Sequence, residues 1–134
     1  GMKSETISRL EDKPLDELLA IRAHLMRGLR GLDPGLINGS LARTSTTCGR
    51  AGCRCQRGDK HMKTNLCKKV DGRSCTTYVP QDLVEEVRRG TEQFRRAKAL
   101  LKEIADVNWA IIRGHGRRQR EKRDAAKRSR VVGR

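Results

Sequence analysis

The sequence predicts an α+β fold, mainly α: a long antiparallel helical hairpin or coiled coil flanking a small zinc-ribbon-like β-hairpin insertion, with a disordered basic C-terminal tail. Three observations carry this. Segments 14–32 and 80–113 repeat apolar residues at steps of three and four, as amphipathic helices do. Between them, Thr- and Ser-rich stretches surround an Asp71-Gly72 pair, a strong hairpin signal. Within that middle region three cysteines and a histidine fall inside the 14 residues from Cys48 to His61. At 134 residues the chain reads as one domain, or one domain with tails. One Phe, one Tyr and one Trp do not build a large core. Stability must therefore draw on Leu/Ile/Val seams, a bound metal or a second subunit.

Residues 1–13 are polar around Ile7 and Leu10 and predict a flexible N-terminal segment, with at most a short helical turn. Helix 1 spans 14–32. Pro14 suits its first position, and Asp16 and Glu17 favour the positive end of the helix dipole. Leu15, Leu18, Arg22, Leu25, Leu29 and Leu32 form its stripe, which Leu19 and Met26 widen. Gly31 and Asp33-Pro34-Gly35 end it.

Residues 33–79 form the cysteine knuckle and a β-ribbon of two or three strands. The strands are expected at Leu41–Thr47, 63–70 and Arg73–Val79, with Asp71-Gly72 as the turn.

Helix 2 spans 80–113, opened by Pro80 with Asp82 in its first turn. Its seam runs Leu83, Val87, Gly90, Phe94, Ala97, Leu101, Ile104, Asn108, Ile111. A strict four–three alternation wants a partner helix packed at a shallow angle. At about 30 residues helix 2 spans about 45 Å, whereas helix 1 spans about 27 Å. Helix 1 alone leaves part of the seam uncovered, and Val84, Leu100, Trp109 and Ile112 widen the stripe further. A homodimer through the helices follows as the expectation. Gly114 and Gly116 are expected to break the helix, leaving 114–134 as a disordered basic tail.

The motif Cys48-Gly49-Arg50-Ala51-Gly52-Cys53-Arg54-Cys55, then His61, reads as a metal knuckle. Zinc takes four thiolate or imidazole donors in a tetrahedron, and Gly49 and Gly52 permit the tight turn. The expected set is Cys48, Cys53, Cys55 and His61. Cys67 and Cys75 are alternates for the fourth place, since the hairpin brings them near each other. Free thiols in a basic loop and an iron–sulfur cluster are the competing readings. Five cysteines, an odd count with three in eight residues, suit ligation in a reducing cytoplasm better than a disulfide framework.

The helix, Gly39-Ser40-Leu41, the run Cys48-Gly49-Arg50, Gly52-Cys53-Arg54-Cys55, Gly58 and His61, and Tyr78-Val79-Pro80 opening a long helix together resemble a bacterial family of unknown function. The resemblance covers roughly residues 15–112. It implies small proteins often encoded near transposases and other mobile elements. Members usually carry aromatics just after the histidine, where this chain has Met62-Lys63-Thr64-Asn65-Leu66-Cys67.

The formal charge is +15 and it is segregated. Residues 1–40 and 80–112 each carry six basic and six acidic side chains. Residues 41–79 carry nine basic against two acidic, and residues 113–134 ten against two. Such placement predicts a polyanion-binding surface. The expected contacts are Arg43, Arg50, Arg54, Arg57, Lys60, Lys63, Lys68, Lys69 and Arg73 in the ribbon, and Arg117, Arg118, Arg120, Lys122 and Arg123 in the tail. One tyrosine in the ribbon argues against single-strand stacking and for backbone contacts to a duplex or structured RNA, with duplex DNA the expected partner. The functional expectation is thus a nucleic-acid-binding accessory protein whose metal-stabilised basic knuckle is presented by a helical dimer. The alternatives are a coiled-coil assembly factor for a transposase-like enzyme and a thiol/zinc redox switch. No enzyme is expected: His24 lies on a helix, His115 sits between glycines, and neither joins a catalytic set. No apolar run approaches the length of a membrane span, so a cytoplasmic protein is expected.

Overall fold

The structure, a computed structural model, describes residues 9–46 and 61–132. It is α+β and mainly helical, with a small three-stranded antiparallel sheet and a long C-terminal helix. In chain order the elements are helix α1 (Leu15–Arg30), strands β1 (Ser40–Thr46), β2 (His61–Val70) and β3 (Arg73–Val79), a 3-10 turn (Gln81–Leu83) and helix α2 (Val84–Val132). They fall into two compact units, Gly1–Leu32 with Ala97–Arg134, and Asp33–Arg96.

In the first unit α1 and the later part of α2 pack antiparallel. As residue numbers fall from Gly28 through Arg22 to Glu11, their partners rise from Leu100 through Asn108 to Arg117. Pro14 stands one place before α1, not at its first position. Its extended backbone (φ −61, ψ 153) lets its carbonyl accept from Leu18 N at 3.1 Å. Asp16 and Glu17 in the first turn and Arg27 and Arg30 in the last oppose the helix dipole. The core is Leu18, Val107 and Ala110, with Leu10, Ile21, Leu25 and Ile111 packed around it. Burying a leucine such as Leu18, 1% exposed, contributes roughly 1.5–3 kcal/mol.

The segment before α1 takes the short helical turn allowed for it over its described residues: 9–11 are helical, and Leu10 joins the core. Two expectations are corrected in this unit. The seam of α2 turns onto Ala97, Leu100, Ile104, Val107 and Ala110, all buried, while Leu101 is 55% exposed. A straight helix repeats every 3.6 residues, so a strict four–three heptad drifts off the partner's side. The helix also does not end near 113: it continues as one run of 49 residues to Val132. Gly114 is a contact residue instead of a breaker. It is buried, and an added Cβ would lie 3.9 Å from the Glu11 carbonyl oxygen and 3.3 Å from the Arg118 guanidinium. Beyond it, Arg, Gln, Glu, Lys and Ala are strong helix formers that outweigh about 1 kcal/mol per glycine.

In the second unit the loop after α1 crosses the first turns of α2. Asp33 accepts from Arg89 (2.8 Å) and Gln93 (2.9 Å), and its own amide donates to Gln93 Oε1 (2.6 Å). Ile37 N donates to the Gly90 carbonyl at 3.0 Å. This lays Leu36–Asn38 along one face of the sheet, where they share a cleft with Leu66, Lys68, Cys75 and Thr77.

The strand order is β1-β2-β3. The expected turn holds: Asp71 (φ 52) and Gly72 (φ 78) are both left-handed, the two-residue geometry that matches strand twist, and Val70 pairs with Arg73. Side chains alternate between faces. Thr64 and Val79, paired across β2 and β3, are buried on one of them. Ala42, Lys63, Lys69, Thr76 and Tyr78 stand exposed on the other.

Candidate metal centre and nucleic-acid interface

Cys48, Cys53 and Cys55, with Arg50, Arg54, Arg57 and Lys60, lie outside the described residues. Their anchor points do not. Thr46 and His61 are register partners at the end of the β1–β2 pair, so the segment carrying the thiols leaves and re-enters the sheet at neighbouring backbone positions. His61, the first residue of β2, stands at that same end. Three thiolates and an imidazole are a donor set that zinc accepts.

Cys67 and Cys75 stand elsewhere. Cys67 is six residues along β2 from His61, about 20 Å at strand rise. It pairs with Ser40 and Thr76, and the Thr76 hydroxyl donates to its sulfur at 3.8 Å. Cys75 pairs with Lys68 and lines the Leu36–Leu66 cleft. The register therefore puts the two sulfurs on opposite faces, a distinction that hairpin proximity alone does not make. Neither is in a disulfide. Among the described residues no three His, Cys, Asp or Glu side chains gather as a metal group.

The sheet also divides the expected cations. Lys63 and Lys69 share the open face, whereas Arg43, Lys68 and Arg73 alternate onto the other. Both sets are exposed at their tips.

The tail cations sit on α2. Arg117 and Arg118 are half-buried, and Arg120, Lys122 and Arg123 are exposed. Arg117 is occupied: it donates to the Glu11 carbonyl at 2.6 Å and lies 3.7 Å from Asp12. Arg113 approaches Glu11 at 3.9 Å, and these groups with Gly116 and Arg120 line one cleft. At 100° per residue, Arg117 and Arg120 fall on one side of the helix and Lys122 on the opposite side.

Part of the stripe expected to be left uncovered by helix 1 forms a surface of its own on α2. Leu101 (55% exposed), Trp109 (57%) and Ile112 (69%) stand on the flank of α2 that α1 does not cover. Asn108, on the margin of that flank, is taken by Arg22, whose guanidinium donates to its Oδ1 at 2.9 Å. The signal was present in the widened stripe.

These elements define the class: an α+β protein in which a three-stranded antiparallel sheet interrupts an antiparallel helix pair. The chain belongs to the family described as a domain of unknown function, DUF6788, whose model matches residues 7–89. That match takes in α1, the sheet and the start of α2. Comparison with curated proteins and with solved structures returns no match. Among the described residues no helix is long and apolar enough to cross a membrane.

Proposed function

We propose that the protein is a nucleic-acid-binding accessory factor, acting on duplex DNA, and not an enzyme. In this reading zinc held by Cys48, Cys53, Cys55 and His61 shapes a basic knuckle at one end of the sheet, and a helical homodimer presents two copies of it. The observation that carries it is the segregation of charge. The excess sits in 41–79 and 113–134, while the intervening helical segments are balanced. Lysine and arginine at that density displace counterions from phosphates. The adjoining positions of Thr46 and His61 favour His61 over Cys67 or Cys75 as fourth donor. Bound there, zinc would supply shape and no chemistry.

Leu101, Trp109 and Ile112 support a second copy on the helices. They equally support the alternative of an assembly factor for a mobile-element enzyme. Gel shifts on mixed-sequence duplex DNA at two salt concentrations separate these. The proposal expects log affinity to fall steeply with log salt, with a slope near −0.9 per phosphate neutralised. Binding that ignores salt, or no binding, favours the assembly factor.

A further inference from the structure

The open face of the sheet is built mainly of short polar side chains. Its described side chains come from alternate positions of β1 (40, 42, 44), β2 (63, 65, 67, 69) and β3 (74, 76, 78). None is a carboxylate, and none is an aliphatic larger than alanine. Apart from Lys63, Lys69 and Tyr78, all are short. The opposite face carries no carboxylate either, so what sets this one apart is its short polar side chains around Asn65. The acidic residue nearest in sequence, Asp71, is in the turn at the sheet's end.

We propose that this face is the element that enters the major groove of duplex DNA, with Asn65 reading a base edge. The proposal rests on the DNA-binding reading and adds which surface makes the contact and how sequence is read.

The major groove, about 12 Å wide, admits a two-stranded ribbon, and β2 with one neighbouring strand about 4.8 Å away makes one. Short side chains let the sheet approach the groove floor, as strand-based readers do. At its centre, Asn65 is flanked by Ala42 on β1 and Tyr78 on β3. Its amide donates to Thr44 Oγ1 at 3.5 Å, the outer limit of a hydrogen bond, so little holds it from a better partner. An asparagine amide matches adenine N6 and N7 bidentately, and lysine matches guanine O6 and N7. Lys63 and Lys69 lie two positions before and four after Asn65 on the same strand and face. Thr44 and Thr76 offer hydroxyls and methyls beside them. Tyr78, 59% exposed on the edge strand, offers a hydroxyl donor for a backbone phosphate. The A-form major groove is deep and narrow and shuts out such a sheet, so duplex RNA is the discriminating ligand.

The test uses the full chain. A preferred site is selected from a random duplex DNA pool, and affinity is read by fluorescence anisotropy on that site, on a random duplex and on duplex RNA of matching sequence. Asn65→Ala is expected to lose about tenfold on the selected site and under about twofold on random DNA. The control is Arg43→Ala with Lys68→Ala, on the same strands but the other face, which reduces both DNA affinities alike. Guanine N7 methylation, which places a methyl group on the major-groove floor, is expected to block binding to the unaltered protein. That arm stands even if a variant misfolds. Equal affinity for duplex RNA, binding indifferent to N7 methylation, or a selection that yields no preferred site overturns the inference while leaving DNA binding in place. No binding to any nucleic acid removes both.

Discussion

The amide of Ile37 donates to the carbonyl of Gly90 at 3.0 Å, across the first turns of α2. No side chain fits between them. A Cβ on Gly90 would collide with the Gly35 carbonyl oxygen and lie 2.8 Å from Ile37 Cδ1. Gly90 is therefore the dock for the loop that leads into β1, with Asp33 pinned beside it by Arg89 and Gln93. Gly90→Ala is expected to destabilise the protein by about 1–3 kcal/mol despite alanine's better helix propensity, because the loop backbone must shift. Gly114→Ala is the comparison. There a Cβ meets only the far end of Arg118 at 3.3 Å and the Glu11 carbonyl at 3.9 Å, so it should be neutral or stabilise by up to about 1 kcal/mol. Thermal melts followed by circular dichroism read both. A Gly90→Ala protein that melts with the parent would show that the loop is not docked there.

Arg22 and Asn108 form a half-buried bond of 2.9 Å between α1 and α2. Each single alanine variant leaves a polar partner behind, at a cost of about 1.5–3 kcal/mol for a bond to a charged group. The double variant should cost less than the two singles added. A double-mutant cycle on urea midpoints measures this, and strict additivity would mean that the pair carries no coupling.

These two sites also show what was legible in the sequence. The helices, the three strands and the Asp71-Gly72 turn follow from local periodicity and turn chemistry, and their boundaries fall within one or two residues of expectation, apart from the two ends of α2. Gly90 stands at a packing position as expected but without its partner known, and Gly114 is misread because a glycine at a packing contact and a glycine that breaks a helix look alike until the facing backbone is known. Both face residues more than 50 positions away. Glu11 and Asp12 looked like polar tail for the same reason: their partners, Arg113 and Arg117, are about a hundred residues on. The division of the ribbon's cations between two faces needed only the register. Register follows from which face is buried, and Thr64, a polar residue, gave little sign of being buried.

Glu85 lies in the first turn of α2, and its carboxyl is held below the ordinary 4.5 by the hydrogen bond from Arg88, with the charges of Arg88 and Arg89 adding to it. A carboxylate whose folded pKa is depressed stabilises the fold above the ordinary value and loses that contribution as pH falls through the lowered one. The pair lies at the surface and is screened by solvent, so the effect is small and confined to the acid side of pH 4.5. Carbon-13 NMR titration of the Glu85 carboxyl should give a midpoint below 4.5 that returns toward it in Arg88→Ala. An unchanged midpoint in that variant would assign the shift elsewhere.

Leu101, Trp109 and Ile112 are exposed on one flank of α2, so charging them should leave the folded chain intact. If a second copy covers this flank, Leu101→Lys with Ile112→Lys converts a dimer into a monomer at micromolar concentration with little change in the monomer's circular dichroism. Sedimentation equilibrium on both proteins decides it. A parent chain that sediments as a monomer removes the dimer and leaves the flank to another partner.

The zinc reading predicts about one metal ion per chain by elemental analysis, and it predicts which cysteines matter. Cys48→Ser, Cys53→Ser and Cys55→Ser should each lower the count and the affinity, since zinc held through thiolates loses a ligand with each change. Cys67→Ser and Cys75→Ser should leave the count unchanged, because Cys67 stands about 20 Å along β2 from His61 and Cys75 faces the other side of the sheet. His61→Ala should behave like the first group. Ligation requires deprotonated thiols and a neutral imidazole, so the ion should be released as pH falls, with protons taken up in exchange. Cobalt substitution gives the second readout, a thiolate-to-metal absorption that weakens in the first group and persists in the second. Loss of the ion in Cys67→Ser, with retention in His61→Ala, would move the fourth ligand from the near end of the sheet to the far one, and the segment between Thr46 and His61 would then have to fold back along β2 to reach it.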